Sequence, residues 1–195
     1  MAFKNVVLCL VLIAASSLAV TVEREKPLQL ATCPFPNGTD TQLNWYSCNA
    51  PGDSIDVTTV DVTDVSGASV YPVDLRKPFM VKLTAVNSGV QYDDNTVDVK
   101  LYEYLQSWSS TKCVWNEVPT FGALNGLDGC DWAHNCPLTV GPLEVDVEID
   151  LSEYSSIINQ LTADTAIQLK IVMKNNNPGS KHEEIACVYA QLKFI

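Results

Sequence analysis

The chain has 195 residues, 12 basic against 23 acidic side chains and a net charge of −11. So acidic a surface repels phosphate backbones and anionic headgroups at neutral pH, which argues against nucleic acid as a partner. The repulsion fades where carboxylates protonate, so an acidic, lysosome-like compartment is permitted.

Residues 1–19 carry Lys4, an apolar run from Val6 to Ala15 and the small-residue stretch Ser16-Ser17-Leu18-Ala19. This is the pattern of a secretory signal peptide, with Ser17 and Ala19 suited to a cleavage after Ala19. The run falls short of the ~20 residues a spanning helix needs, and no later stretch is apolar enough to span a bilayer. Cys9 leaves with the segment. About 176 residues then remain, the size of one domain with its own core.

Residues 20–44 read as an N-terminal extension, polar and interrupted by Pro27, Pro34 and Pro36, and tied down through Cys33. Within it, Asn37-Gly38-Thr39 is an N-glycosylation acceptor. Strands dominate from Cys48 on. Ile55 to Val62 is rich in Val and Thr; Phe79, Val81, Leu83 and Ala85 alternate with Met80, Lys82, Thr84 and Val86; Val97, Val99 and Leu101 alternate with polar residues. Leu143, Val145, Val147, Ile149 and Leu151 face away from Glu144, Asp146, Glu148 and Asp150, the signature of a half-buried antiparallel strand. Ile167 to Met173 and Ala186 to Phe194 repeat it. Turn residues at Asn87-Ser88-Gly89, Asp93-Asp94-Asn95 and Asn175 to Gly179 separate the runs, which predicts an all-β sandwich or barrel. Ser152 to Leu161 fits one short helix.

Leu105 to Pro142 lacks steady alternation but carries Trp108, Trp115, Phe121, Trp132 and three cysteines, the profile of a functional loop region. The six cysteines of the exported chain, Cys33, Cys48, Cys113, Cys130, Cys136 and Cys187, form an even set and read as a disulfide framework. Catalytic chemistry has no foothold. His134 and His182 belong to no nucleophile motif. Cys130 and Cys136 are too widely spaced for a zinc pair, and Asp93-Asp94 or Asp61 with Asp64 lack calcium-loop spacing. The expectation is therefore no catalytic residue, no metal and no cofactor. The inward strand residues either pack a solid core or line an apolar cavity between the sheets; periodicity alone leaves both open.

From Trp45 to Ile195 the chain resembles the ML family of lipid-recognition domains, of the ganglioside-activator, lysosomal sterol-carrier and group 2 mite-allergen type. The resemblance is carried by Trp45-Tyr46-Ser47-Cys48, by Gly129-Cys130-Asp131-Trp132-Ala133-His134-Asn135-Cys136-Pro137, by Leu143–Leu151 and by Glu184-Ile185-Ala186-Cys187-Val188. It implies an immunoglobulin-like sandwich of two antiparallel sheets holding a lipid between them, in a monomeric, non-enzymatic, secreted or lysosomal carrier. The expected ligand is a sterol, fatty acid or glycolipid, exchanged with a membrane or protein acceptor. It implies Cys48–Cys187. For the rest it favours Cys130–Cys136 with Cys33–Cys113, against the rival Cys113–Cys130 with Cys33–Cys136. The residues expected to line the cavity or its rim are Val99, Leu101, Trp108, Trp115, Phe121, Val145, Val147, Tyr154, Leu169 and Ile171. The competing expectation is a solid-core module that presents Leu105–Pro142 to a protein partner.

Overall fold

The computed structural model describes residues 33–48, 53–107, 109, 111–133 and 136–195, with backbone alone at 132 and 133. The predicted export segment 1–19, Trp108 and His134 lie outside these residues. In chain order the strands are β1 (Asn44–Ser47), β2 (Ile55–Asp64), β3 (Phe79–Asn87), β4 (Asn95–Gln106), β5 (Cys113–Glu117), β6 (Leu127–Asp128), β7 (Gly141–Ile149), β8 (Thr165–Asn175) and β9 (Glu184–Phe194). Two short α-helices, α1 (Gly129–Ala133) and α2 (Ser155–Ile158), and two 3-10 turns, Pro36–Gly38 and Ser152–Tyr154, complete the described chain. None of its helices is long and apolar enough to cross a membrane.

The strands pair antiparallel in two sheets. The larger runs β1-β9-β8-β4-β5, with β6 also on β4, and the smaller runs β2-β3-β7. The result is the expected all-β sandwich, stapled by disulfides. β3 and β7 pair without a slip from Phe79↔Ile149 to Asn87↔Gly141. One consistent alternation therefore sends Phe79, Val81, Leu83 and Ala85 inward together with Leu143, Val145, Val147 and Ile149. On the outer face, register sets Lys82 between Asp61 and Asp146, an opposite-charge ladder across three strands.

β2 is less regular because it bulges: Val57 pairs with Ala85, Thr59 with Thr84, and Thr58 is the extra residue. Its hydroxyl donates to the Thr84 carbonyl at 3.0 Å. The bulge shifts the inward set from Ile55 and Val57 to Val60 and Val62, which is why this segment does not alternate cleanly in sequence.

The stretch from Leu105 to Pro142 holds more regular structure than its sequence suggests. β4 continues to Gln106 and returns as β5, with Tyr104 opposite Trp115. Neither face of β5 enters the core: Val114 is exposed and Trp115 only half-buried. An edge strand outside the sheet overlap has no reason to carry an apolar face, so no period-two signal arises. The disulfides are Cys33–Cys113, Cys48–Cys187 and Cys130–Cys136. They match the favoured set and exclude the rival pairing. The described part of the extension, residues 33–44, is built into the domain. Thr39 is fully buried, and Asn37 Nδ2 donates to Gln191 Oε1 at 2.7 Å.

Candidate ligand-binding cavity

The space between the sheets is filled at its two ends and open in the middle. At one end Val73, Leu75, Phe79, Leu101, Ile167, Leu192 and Phe194 pack with Ile157 and Ile158 of α2. At the other, Ile55, Ala85, Tyr92, Leu138, Leu143 and Ile185 form a second cluster. Val57, Val62, Val81, Leu83, Val147, Leu169 and Met173 border one cluster or the other and also line a cavity of about 170 Å³. A second void of about 80 Å³ lies beside it. The two share Phe79, Val81, Val99, Leu127, Ile149, Leu169 and Ile171 as walls, and the smaller reaches α2 through Tyr154, Ile157 and Ile158.

The cavity has a compositional cause. Its walls include nine valines (Val57, Val60, Val62, Val81, Val97, Val99, Val145, Val147 and Val188) and two alanines, Ala186 and Ala190. Facing sheets stand about 10 Å apart, and short side chains on both inner faces do not meet across that gap. At one end, where Ile167 and Phe194 pack with Val73 and Leu75, the gap closes.

Among the described residues, polarity enters the main cavity's wall at one side chain, Asn95. Asn95 opens β4 on the same face as Val97, Val99 and Leu101 and is 1% exposed. Its Nδ2 donates to the disulfide sulfurs, 3.5 Å from Cys130 Sγ and 3.4 Å from Cys136 Sγ. Its Oδ1 is buried with no hydrogen-bond partner among the described residues. That oxygen occupies the space a side chain at residue 129 would need: a Cβ on Gly129 would stand 1.8 Å from it. Among the described residues, no titratable side chain lines the main cavity.

Of the residues expected at the site, Val99, Val145, Val147, Leu169 and Ile171 line the main cavity, and Leu101 and Tyr154 the smaller one. Two of the expected aromatics stand elsewhere. Trp115 lies opposite Tyr104 with ring centroids 5.0 Å apart, on the outer face of the larger sheet, because Tyr104 has the opposite parity to Leu101. Phe121 is 93% exposed, at φ 51°, in a tight turn closed by Ala123 N–H to the Thr120 carbonyl at 2.9 Å. Trp108 lies outside the described residues. The walls that the prediction left out come chiefly from β2, β3 and β9. The alternation of β3 and β9 was visible and that of β2 was broken by its bulge, but nothing in it distinguished a wall from a packed core except the shortness of the side chains.

No family model and no curated protein matches this chain. Among solved structures, the C-terminal domain of wzt is similar at a TM-score of 0.39, with 10% sequence identity over 81% of this chain and 81% of that one.

Proposed function

We propose that this chain is a lipid-binding and lipid-transfer protein of the ML type, which holds an aliphatic tail between its two sheets and performs no chemical step. The observation that carries the reading is the cavity of about 170 Å³, walled by apolar side chains with one polar exception among the described residues. An apolar cavity of about 150 Å³ stays dry and takes up an apolar guest. Each CH₂ moved from water into such a space is worth roughly 0.8 kcal/mol. Both voids fall below the roughly 300–1,000 Å³ of sites for drug-sized ligands. That size favours a single acyl tail over a sterol ring system.

Three disulfides fit an oxidising compartment, in keeping with secretion or delivery to a lysosome as a monomer. On this reading the acceptor is a membrane or a protein. Asn37 is exposed and its amide nitrogen faces Gln191, so a glycan there would lie on the outer face of the larger sheet, away from the cavity. Native mass spectrometry of the secreted, disulfide-intact protein, followed by organic extraction, tests the proposal. A discrete extra mass that extracts as a lipid is the expected result. A protein that stays free of lipid after incubation with fatty acids, sterols and glycolipids refutes it. The rival reading, a protein-interaction module, draws on Phe121, an aromatic ring presented to solvent at a positive φ. It predicts a lipid-free protein with a partner lost in Phe121→Ser.

A further inference from the structure

We infer that Phe79 is the partition between the two voids and limits the cargo to an unbranched tail no longer than the larger void holds. This rests on the carrier reading and adds to it the length class of the ligand. The voids follow one another along the strands. On β4 Val97 lines the larger void, Val99 both and Leu101 the smaller; on β7 the order is Val147, Ile149 and Leu151. Successive inward positions stand about 7 Å apart, so a tail lying along the strands meets one void and then the other.

Phe79 stands at the boundary. It opens β3 on the inward face, is 4% exposed and lines both voids, as does its cross-strand partner Ile149. Among the described residues, Phe79 carries the only ring of the walls that the two voids share. A ring spans more of the roughly 10 Å between facing sheets than Val81 or Val99 can. It also belongs to the packed end cluster with Val73, Leu75 and Phe194. Interiors are packed as densely as organic crystals, so the ring cannot turn aside without disturbing that end. A tail is left the void of about 170 Å³, and the 80 Å³ beyond Phe79 stays out of its reach.

The test measures dissociation constants of saturated fatty acids, from hexanoic to octadecanoic acid, on the delipidated, disulfide-intact secreted protein. Each CH₂ that enters the void is expected to tighten binding about fourfold, and the gain to stop once the larger void is full. In Phe79→Ala the gain is expected to continue at about fourfold per CH₂ beyond the native stopping length. Leu151→Phe fills the smaller void, and adding it to Phe79→Ala is expected to take that extension away. In the native protein, nuclear Overhauser contacts from the bound tail are expected to reach the methyls of Val147 and not those of Ile157, which lines the smaller void alone. Should Phe79→Ala fail to fold, Phe79→Leu and the native contacts decide. An unchanged stopping length, an extension that survives Leu151→Phe, or contacts to both Val147 and Ile157 overturn the partition and leave the carrier reading standing. Binding of none of the acids overturns both.

Discussion

Ala190 is 7% exposed, pairs with Leu169 on β8 and forms part of the cavity wall. A larger side chain there projects into empty space rather than into packed neighbours. Carrier and solid core then differ in sign. In a packed core Ala190→Leu would overpack and cost about 1–3 kcal/mol. In this molecule it is expected to stabilise the lipid-free protein by about 0.5–2 kcal/mol, the usual gain from filling a void, while reducing uptake of an aliphatic tail. Urea unfolding of the lipid-free variant, set beside lipid extraction after loading, reads both signs. Destabilisation with undiminished uptake would place the ligand elsewhere.

At the level of elements, the cysteine pairs differ in what they hold. Cys48–Cys187 ties the end of β1 to β9 across a sequence separation of 139, and the Cys48 N–H donates to the Cys187 carbonyl at 3.0 Å. Cys33–Cys113 spans 80 and ties the extension to β5, while Cys130–Cys136 spans 6 and closes the segment of α1. In the chain-entropy model, cross-linking removes roughly 5, 4.5 and 2 kcal/mol of denatured-state freedom for the three loops in that order. Paired Cys→Ser replacements are expected to lower the urea midpoint in the same order. If Cys130→Ser with Cys136→Ser proved the most damaging, the stabilising role of that pair would lie in native contacts, among them the Asn95 amide. The β2 bulge at Thr58 and the edge position of β5 show how far elements depend on their neighbours. Both obscured their own sequence signal, one by shifting parity and the other by having no core to face.

Across the whole molecule the acidic groups divide by the sign of their response to pH. The Lys174 ammonium, 2.6 Å from Asp98, holds that carboxyl below its ordinary value. The Arg76 side chain does so for Asp74, and Asn175 for Glu183. Each of these favours folding above the ordinary carboxylate values of 3.8 and 4.5, and the contribution is lost as pH falls through the lowered folded-state value. Asp53 behaves in the opposite way. Burial first, then the neighbouring Glu184, raises its value, so it opposes folding at neutral pH and ceases to do so as pH falls through the raised value. Stability is therefore expected to rise as pH falls through the raised value of Asp53 and to fall away below the ordinary carboxylate range. Asp53→Asn is expected to stabilise the protein at pH 7 and to lose that advantage on acidification, as followed by urea unfolding across the range. A gain that is the same at every pH would remove Asp53 from the account.

Strands whose inward and outward residues differ in kind, such as Leu143–Ile149 on β7 and the inward row of β9, were legible without the fold. That difference is a local consequence of one face meeting the core and the other water. The sequence also contained the even cysteine set and the profusion of valine at inward positions. That the valines of both sheets line one cavity came only with the tertiary structure, because a wall and a core have the same periodicity. The distinction depends on what stands about 10 Å away across the sandwich. The same holds for Asn95, which reads as one more turn residue in Asp93-Asp94-Asn95. It becomes the polar exception in the cavity wall because β4 begins there and Gly129 leaves it room.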